Sequence, residues 1–212
     1  MEHGLKNIII IGGGGHARVL RDTLDTCGGY NILGYTDLRP SPQMDVDYLG
    51  GDDAVARRYK PVEVYLANGI GSVRLPVLRQ SVYERFKKDG FLFVTVTHPD
   101  AVVSGRAQLA EGVQVMAGAV VNTGAEIGEN VVINTLSGVD HDCIIGAHTH
   151  IAPGVTLSGG VRIGPGSHVG TGAKIIQGVH IGAGALIGAG AVVIDHVPAG
   201  EKRVGVPGKG SA

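Results

Sequence analysis

The stretch GVTLSGGVRIGPGSHVGTGAKIIQGVHIGAGALIGAGAVV, Gly154 to Val193, carries an aliphatic residue at every sixth position: Leu157, Ile163, Val169, Ile175, Ile181, Ile187 and Val193. Read backwards, the rhythm continues unbroken to Val103, sixteen matches in all. Four residues after each comes a second, small or short-branched side chain, among them Ala107, Val113, Ala119, Ser137, Cys143, Thr149 and Ala185. A period of six is the mark of a parallel β-helix, because each coil buries its inward side chains only by stacking on its neighbours.

Three residues after the aliphatic position stands glycine at ten of the sixteen repeats. A glycine fixed at a turn predicts positive φ, where a Cβ is costly. Four successive repeats break the rule with Asn130, Leu136, Asp142 and His148. Asn, Asp and His tolerate the left-handed region better than most residues, so tolerance alone accounts for three of them. Local rules tend to fail at functional sites, and three histidines and two aspartates crowd into the same gap, Val139 to Gly154.

Composition narrows the function classes. With 18 basic and 19 acidic residues there is no electrostatic footprint for nucleic acid or an anionic membrane. Cys27 and Cys143 lie far apart in unlike contexts, which offers no disulfide framework and fits a reducing compartment. The longest aliphatic run near the start is Ile8 to Ile11, too short for a signal-peptide core or a membrane span. The expectation is a soluble, cytoplasmic protein.

The first 96 residues have a different rhythm. NIIIIGGGGHARVLRDTL, from Asn7, is a short strand, a glycine turn and the start of a helix, and YNILGYTD, from Tyr30, is a second strand. VEVYLANGIG, from Val62, predicts a further strand, and Val73 to Lys88 has helical spacing with Pro76 in its first turn. The expected organisation is a Rossmann-like α/β domain over 1–96 and a β-helix over 97–212. Gly12, Gly14 and Ala17 match the dinucleotide fingerprint G-x-G-x-x-A, with Asp37 at the end of the second strand. Three readings fit: a mononucleotide or nucleotide-sugar site, a purely structural tight turn, or a dinucleotide site, the last disfavoured by so short a domain. In the first, Gly12, Gly14, Gly15, His16 and Asp37 are the candidate contacts, through close backbone approach to phosphate at a helix N-terminus.

A short α/β domain carrying GGGGHAR, joined to a hexapeptide helix carrying NTLSGVDHDCIIGAHTHIAPG, resembles the bacterial nucleotide-amino-sugar N-acetyltransferases and their relatives, the sialic acid O-acetyltransferases. The resemblance spans nearly the whole chain. It implies a left-handed, three-sided coil, against the usual right-handed crossover rule, so that residues i and i+18 stand one above the other and the length of the repeat makes about five coils. It also implies a homotrimer with each active site between neighbouring β-helices, acetyl-CoA as cosubstrate, no metal, and the sugar nucleotide on the N-terminal domain. GDP-perosamine is the substrate it favours and a UDP-linked 4-amino sugar the alternative, with the product entering a surface glycan such as lipopolysaccharide O-antigen. By the same resemblance His141 is the base, Asp142 its acidic partner, Asn134 and His150 line the pocket, and the Gly159 N–H meets the acetyl carbonyl. The eighteen-residue spacing agrees, since Gly159 lies one coil from His141.

The chemistry suits these residue types. A sugar amine is mostly ammonium near neutral pH, only the free amine attacks a thioester, and histidine can take the proton. Cys143 holds a small inward position and is expected in the core. His150 and His168 are eighteen apart and are expected to stack, while His148, His180 and His196 receive no role. A zinc hydrolase on the same fold is disfavoured, since it needs two histidines five apart and none here are. A non-catalytic scaffold would keep its glycine rhythm unbroken. Transfer to a hydroxyl, as in sialic acid O-acetylation, remains the enzymatic alternative.

Overall fold

The computed structural model describes residues 5–210, so the first four and last two residues of the expected domains lie outside it. The N-terminal part contains β1 (Lys6–Ile11), α1 (Gly15–Cys27), β2 (Tyr30–Thr36), α2 (Asp53–Arg58), β3 (Tyr65–Asn68), α3 (Val77–Lys88) and β4 (Leu92–Phe93). Its four strands form one parallel sheet in the order β2-β1-β3-β4. The four isoleucines of β1 are fully buried. Ile8 and Ile10 pack with Ala17, Leu20 and Leu24 of α1, whereas Ile9 and Ile11 pack with Val82 and Phe86 of α3. A continuous aliphatic run covered on both faces is what a parallel strand requires.

Both later strands fall where the pattern places them, but the helix expected from Val73 starts only at Val77. Pro76 disfavours helical geometry at the residue before it, so 73–75 remain loop, and Val73 and Arg74 become part of a cleft wall. The six residues of α2 and the two of β4 are too short to carry a legible period.

From Val96 the chain winds into a three-sided parallel β-helix. Partners are eighteen residues apart, as in Val132 with His150 and Ile133 with Ile151. The six-coil face begins at Val96–Thr97 and continues past the last aliphatic match into Lys202–Val204. That is one coil more than the five expected, because Val96 and Thr97 pair in register although they precede the glycine rhythm. The two inward positions of each hexapeptide form one core, Cys143 included. The turn position has positive φ at all ten glycines and at Asn130, Leu136, Asp142 and His148, with φ of 55°, 56°, 58° and 62°. Left-handed geometry costs a residue with a Cβ roughly 1 kcal/mol or more, so the gap in the glycine rhythm is a gap in sequence and not in backbone.

A buried polar clamp joins the two parts. Arg79 of α3, 1% exposed, donates from Nη1 to the carbonyls of Asn68 (2.7 Å) and Ile70 (3.1 Å), and from Nε to that of Asn130 (3.3 Å) on the β-helix. Asn68 Nδ2 donates to Asn130 Oδ1, and Gln114 Nε2 donates to the Asn68 carbonyl. Arg79→Leu leaves the Ile70 and Asn130 carbonyls without these donors, and is expected to lower unfolding free energy by roughly 3 kcal/mol. Chemical denaturation checks this; a loss under about 1 kcal/mol would show that the clamp is dispensable.

Candidate active site

His141, Asp142 and Gly159 meet at one corner of the β-helix. Asp140 accepts the His141 backbone N–H (2.7 Å) and the Asn122 side-chain amide (3.0 Å), which holds the turn. His141 Nδ1 donates to Asp142 Oδ2 at 2.8 Å, so its Nε2 is the nitrogen with a free lone pair. That hydrogen bond raises the imidazole pKa above its ordinary value, and the Asp140 charge adds to the effect. With 49% of its side chain exposed, His141 is open to a second reactant.

The imidazole lies directly over Gly159, where any Cβ would collide with it. Ser158 and Gly160 donate to Ile175 and His141 carbonyls, while the Gly159 N–H has no partner among the described residues. A half-exposed imidazole with a free Nε2 thus stands beside a residue whose N–H has no partner among the described residues, a proton acceptor and a donor of the kinds acyl transfer uses. Asp140 and Asn122 were not singled out from sequence, yet their separation of eighteen residues was a usable signal.

Asn134 and His150 meet at a different corner. Asn134 Nδ2 donates to His150 Nε2 (3.1 Å), and His150 Nδ1 pairs with Ser72 Oγ (2.7 Å) from the N-terminal part. Burial, then the neighbouring His168, His16 and Arg79, push the His150 pKa down to about 2. It is a neutral, fully engaged imidazole. His168 sits beside it edge-on, ring centroids 5.0 Å apart, as the spacing predicts. These residues line a cleft of about 790 Å³ that does not include His141. Its wall climbs one corner through Thr135, Pro153, Thr171 and Ala189, each eighteen residues after the last. At roughly 4.8 Å per coil that is a run of about 14 Å, a shape for an extended, chain-like ligand.

The glycine turn forms a second cleft of about 600 Å³, bounded by Gly12 to Gly15, Asp37, Leu38, Ile70 and Leu78. Gly12 has φ 99°, and a Cβ at Gly13 would stand 2.7 Å from the Tyr35 ring. Ala17 packs so closely on Gly69 that only glycine fits there. Asp37 accepts the Gly13 N–H at 2.7 Å and the Leu38 N–H at 2.6 Å, so its carboxylate shapes the turn as well as facing the cleft. His16 borders both clefts and pairs with Gln114 Oε1 at 2.8 Å. Burial, and then Arg79, lower its pKa to about 4, so at neutral pH it meets a ligand as an uncharged group. Among the described residues no helix is long and apolar enough to cross a membrane.

Comparison with known proteins agrees with this architecture. Residues 7–86 match the PglD N-terminal domain, and residues 124–159 and 160–195 match the bacterial transferase hexapeptide model, whose coil is the left-handed β-helix. The acetyltransferase domain of PglB from Neisseria gonorrhoeae FA1090, solved with acetyl coenzyme A, is 34% identical over 98% of this chain and 100% of its own, with a TM-score of 0.92. PerB from Caulobacter crescentus, solved with CoA and GDP-perosamine, is 38% identical over 99% of each chain, with a TM-score of 0.91. A curated GDP-perosamine N-acetyltransferase from Escherichia coli O157:H7 is 38% identical over 82 residues, 39% of this chain and 37% of that protein's length. The α/β domain, the left-handed β-helix and a likeness that spans nearly the whole of this chain to the PglB acetyltransferase domain and to PerB place the chain in one family: it belongs to the hexapeptide-repeat sugar N-acetyltransferases with a PglD-type N-terminal domain.

Proposed function

We propose that this chain moves the acetyl group of acetyl-CoA to the amine of a nucleotide-linked 4-amino-4,6-dideoxy sugar, GDP-perosamine in the first instance, with His141 as general base. The observation that carries the reading is the His141 imidazole, oriented by Asp142 and poised over the unpaired Gly159 N–H. Nε2 takes a proton as the amine nitrogen bonds to the thioester carbon. The oxyanion that forms is held by the Gly159 N–H. Collapse breaks the carbon–sulfur bond, and the imidazolium returns its proton to the departing thiolate. The two clefts suit the two substrates: a glycine turn at a helix N-terminus for the nucleotide, and a corner groove of chain length for the pantetheine arm. GDP as the nucleotide rests on the likeness to PerB and the curated enzyme.

Within one protomer His141 and the groove of Asn134 and His150 occupy different corners. A second copy must therefore bring a His141 corner to this groove, which supports a homotrimer with three shared sites. Coexpressing His141→Ala with Thr171→Arg, each inactive alone, is expected to restore part of the activity through mixed assemblies. No restoration despite a trimeric mass in light scattering argues for a site within one chain.

His141→Ala is expected to lower kcat by about 10² to 10⁴ with little change in either KM. Its fold should persist, because the inward residues of that repeat, Val139 and Cys143, are untouched. A folded variant with parental kcat removes His141 from the mechanism.

The base works only when neutral, so kcat/KM falls as pH drops through the His141 pKa, which the Asp142 hydrogen bond raises. Asp142→Asn withdraws that carboxylate, and the acidic limb is expected to move to lower pH. An unmoved limb assigns it to the amine of the sugar instead.

Asp37→Ala is expected to raise the KM for the sugar nucleotide and leave that for acetyl-CoA nearly unchanged. Equal changes in both count against the glycine cleft as the nucleotide site.

A further inference from the structure

The corner that carries the chain-like groove has, at its turn position in successive coils, Gly118, Leu136, Gly154, Gly172 and Gly190. All five have positive φ, 67°, 56°, 68°, 70° and 66°. Leucine is the odd member of this series, a branched side chain in a conformation that L-residues avoid. The other three non-glycine turns have polar contacts: Asn130 with Asn68 and His148, Asp142 with His141, and His148 with Glu84. Leu136 is apolar and 71% exposed. Nothing local offsets its backbone.

Its position does have a consequence for the groove. The wall descends from Ala189 through Thr171 and Pro153 to Thr135, and Leu136 is the next residue in the chain. Above it the turn positions are bare glycine. At Leu136 the side chain leans over the coil below, its Cδ2 only 2.6 Å from where a Cβ on Gly118 would stand. The space over Gly118, one coil below the last wall residue, is therefore taken by an isobutyl group.

We propose that Leu136 is the acyl-length stop of this enzyme, a specificity-determining residue that admits the two-carbon acyl thioester and turns away longer ones. The inference rests on the acetyl-transfer reading above. His141, His150 and Gly159 belong to the coil of Leu136 and the coil above it, so in a trimer of parallel β-helices, as the shared-site reading has it, the reacting thioester sits at that level and the pantetheine arm rises toward Ala189. Carbons added to the acyl group then run down the corner onto Leu136. An apolar wall discriminates by about 10- to 200-fold for each methylene it rejects.

The test compares kcat/KM for acetyl-, propionyl- and butyryl-CoA in the parent, Leu136→Gly and Leu136→Asn, with molar mass followed by light scattering. Glycine suits φ 56° and opens that space, while asparagine tolerates that φ and keeps the branched shape of leucine with the same number of heavy atoms. Leu136→Gly is expected to raise the butyryl-to-acetyl ratio at least about tenfold, and Leu136→Asn to leave it near the parental value. Unchanged ratios in Leu136→Gly overturn the proposal, and so does an equal loss with every acyl-CoA accompanied by a fall to monomer mass. A parent that transfers no acyl group from any of the three overturns the acetyl-transfer reading itself, and the stop with it.

Discussion

An inward side chain of a β-helix finds cover only from the other inward side chains of its own coil and of the coils below and above it. Everything else in the C-terminal part depends on that constraint. It forces an aliphatic residue and a small one in every hexapeptide, and it forces the backbone to return to the same place after eighteen residues. The corners are left free of packing duties, and chemistry can be written there. His141 stands over Gly159 because of this repeat, and Thr135, Pro153, Thr171 and Ala189 form a straight groove wall for the same reason. The hydrophobic core does not touch the reaction, but it sets the position of every group that would.

Two histidines nine residues apart show how the same side chain is tuned in opposite directions. His141 is half exposed and bonded to a carboxylate, which favours the protonated form and raises its pKa. His150 is buried among other cations and potential cations, has both ring nitrogens engaged, and stays neutral. The first can exchange a proton with a reactant. The second can only hold a shape. Proximity in sequence would not separate these roles; environment does.

The N-terminal part contributes more than a glycine-lined cleft. Its loop after β3 is tied to the β-helix through Arg79, Asn68 and Gln114, and Ser72 from that loop completes the pairing of His150. The glycine cleft and the corner groove share Gly15, His16 and Gly71 as a common border. A buried arginine bonded to carbonyls, with no acidic partner among the described residues, has no value as an ion pair. Its use is geometric, fixing the loop after β3 against the β-helix.

Much of this molecule was legible before any coordinates. The sixfold rhythm required a β-helix, because no other fold buries one residue in six along so long a run. The gap in the glycine rhythm marked the coils where His141, Asp142 and His150 lie, and all four substituted turns keep the left-handed backbone that glycine adopts elsewhere. Short elements such as α2 and β4 escaped notice because they hold too few residues to show a period. The helix before α3's true start was overextended because spacing does not register the steric demand of Pro76 on its neighbour. Tertiary structure alone decided three matters: that His141 and His150 face different corners, that Arg79 is buried, and that the Leu136 side chain leans over Gly118. Each depends on which residues the winding of the coil and the docking of the second domain bring together across long stretches of chain, and a linear pattern records periodicity but not the surface that periodicity is folded against.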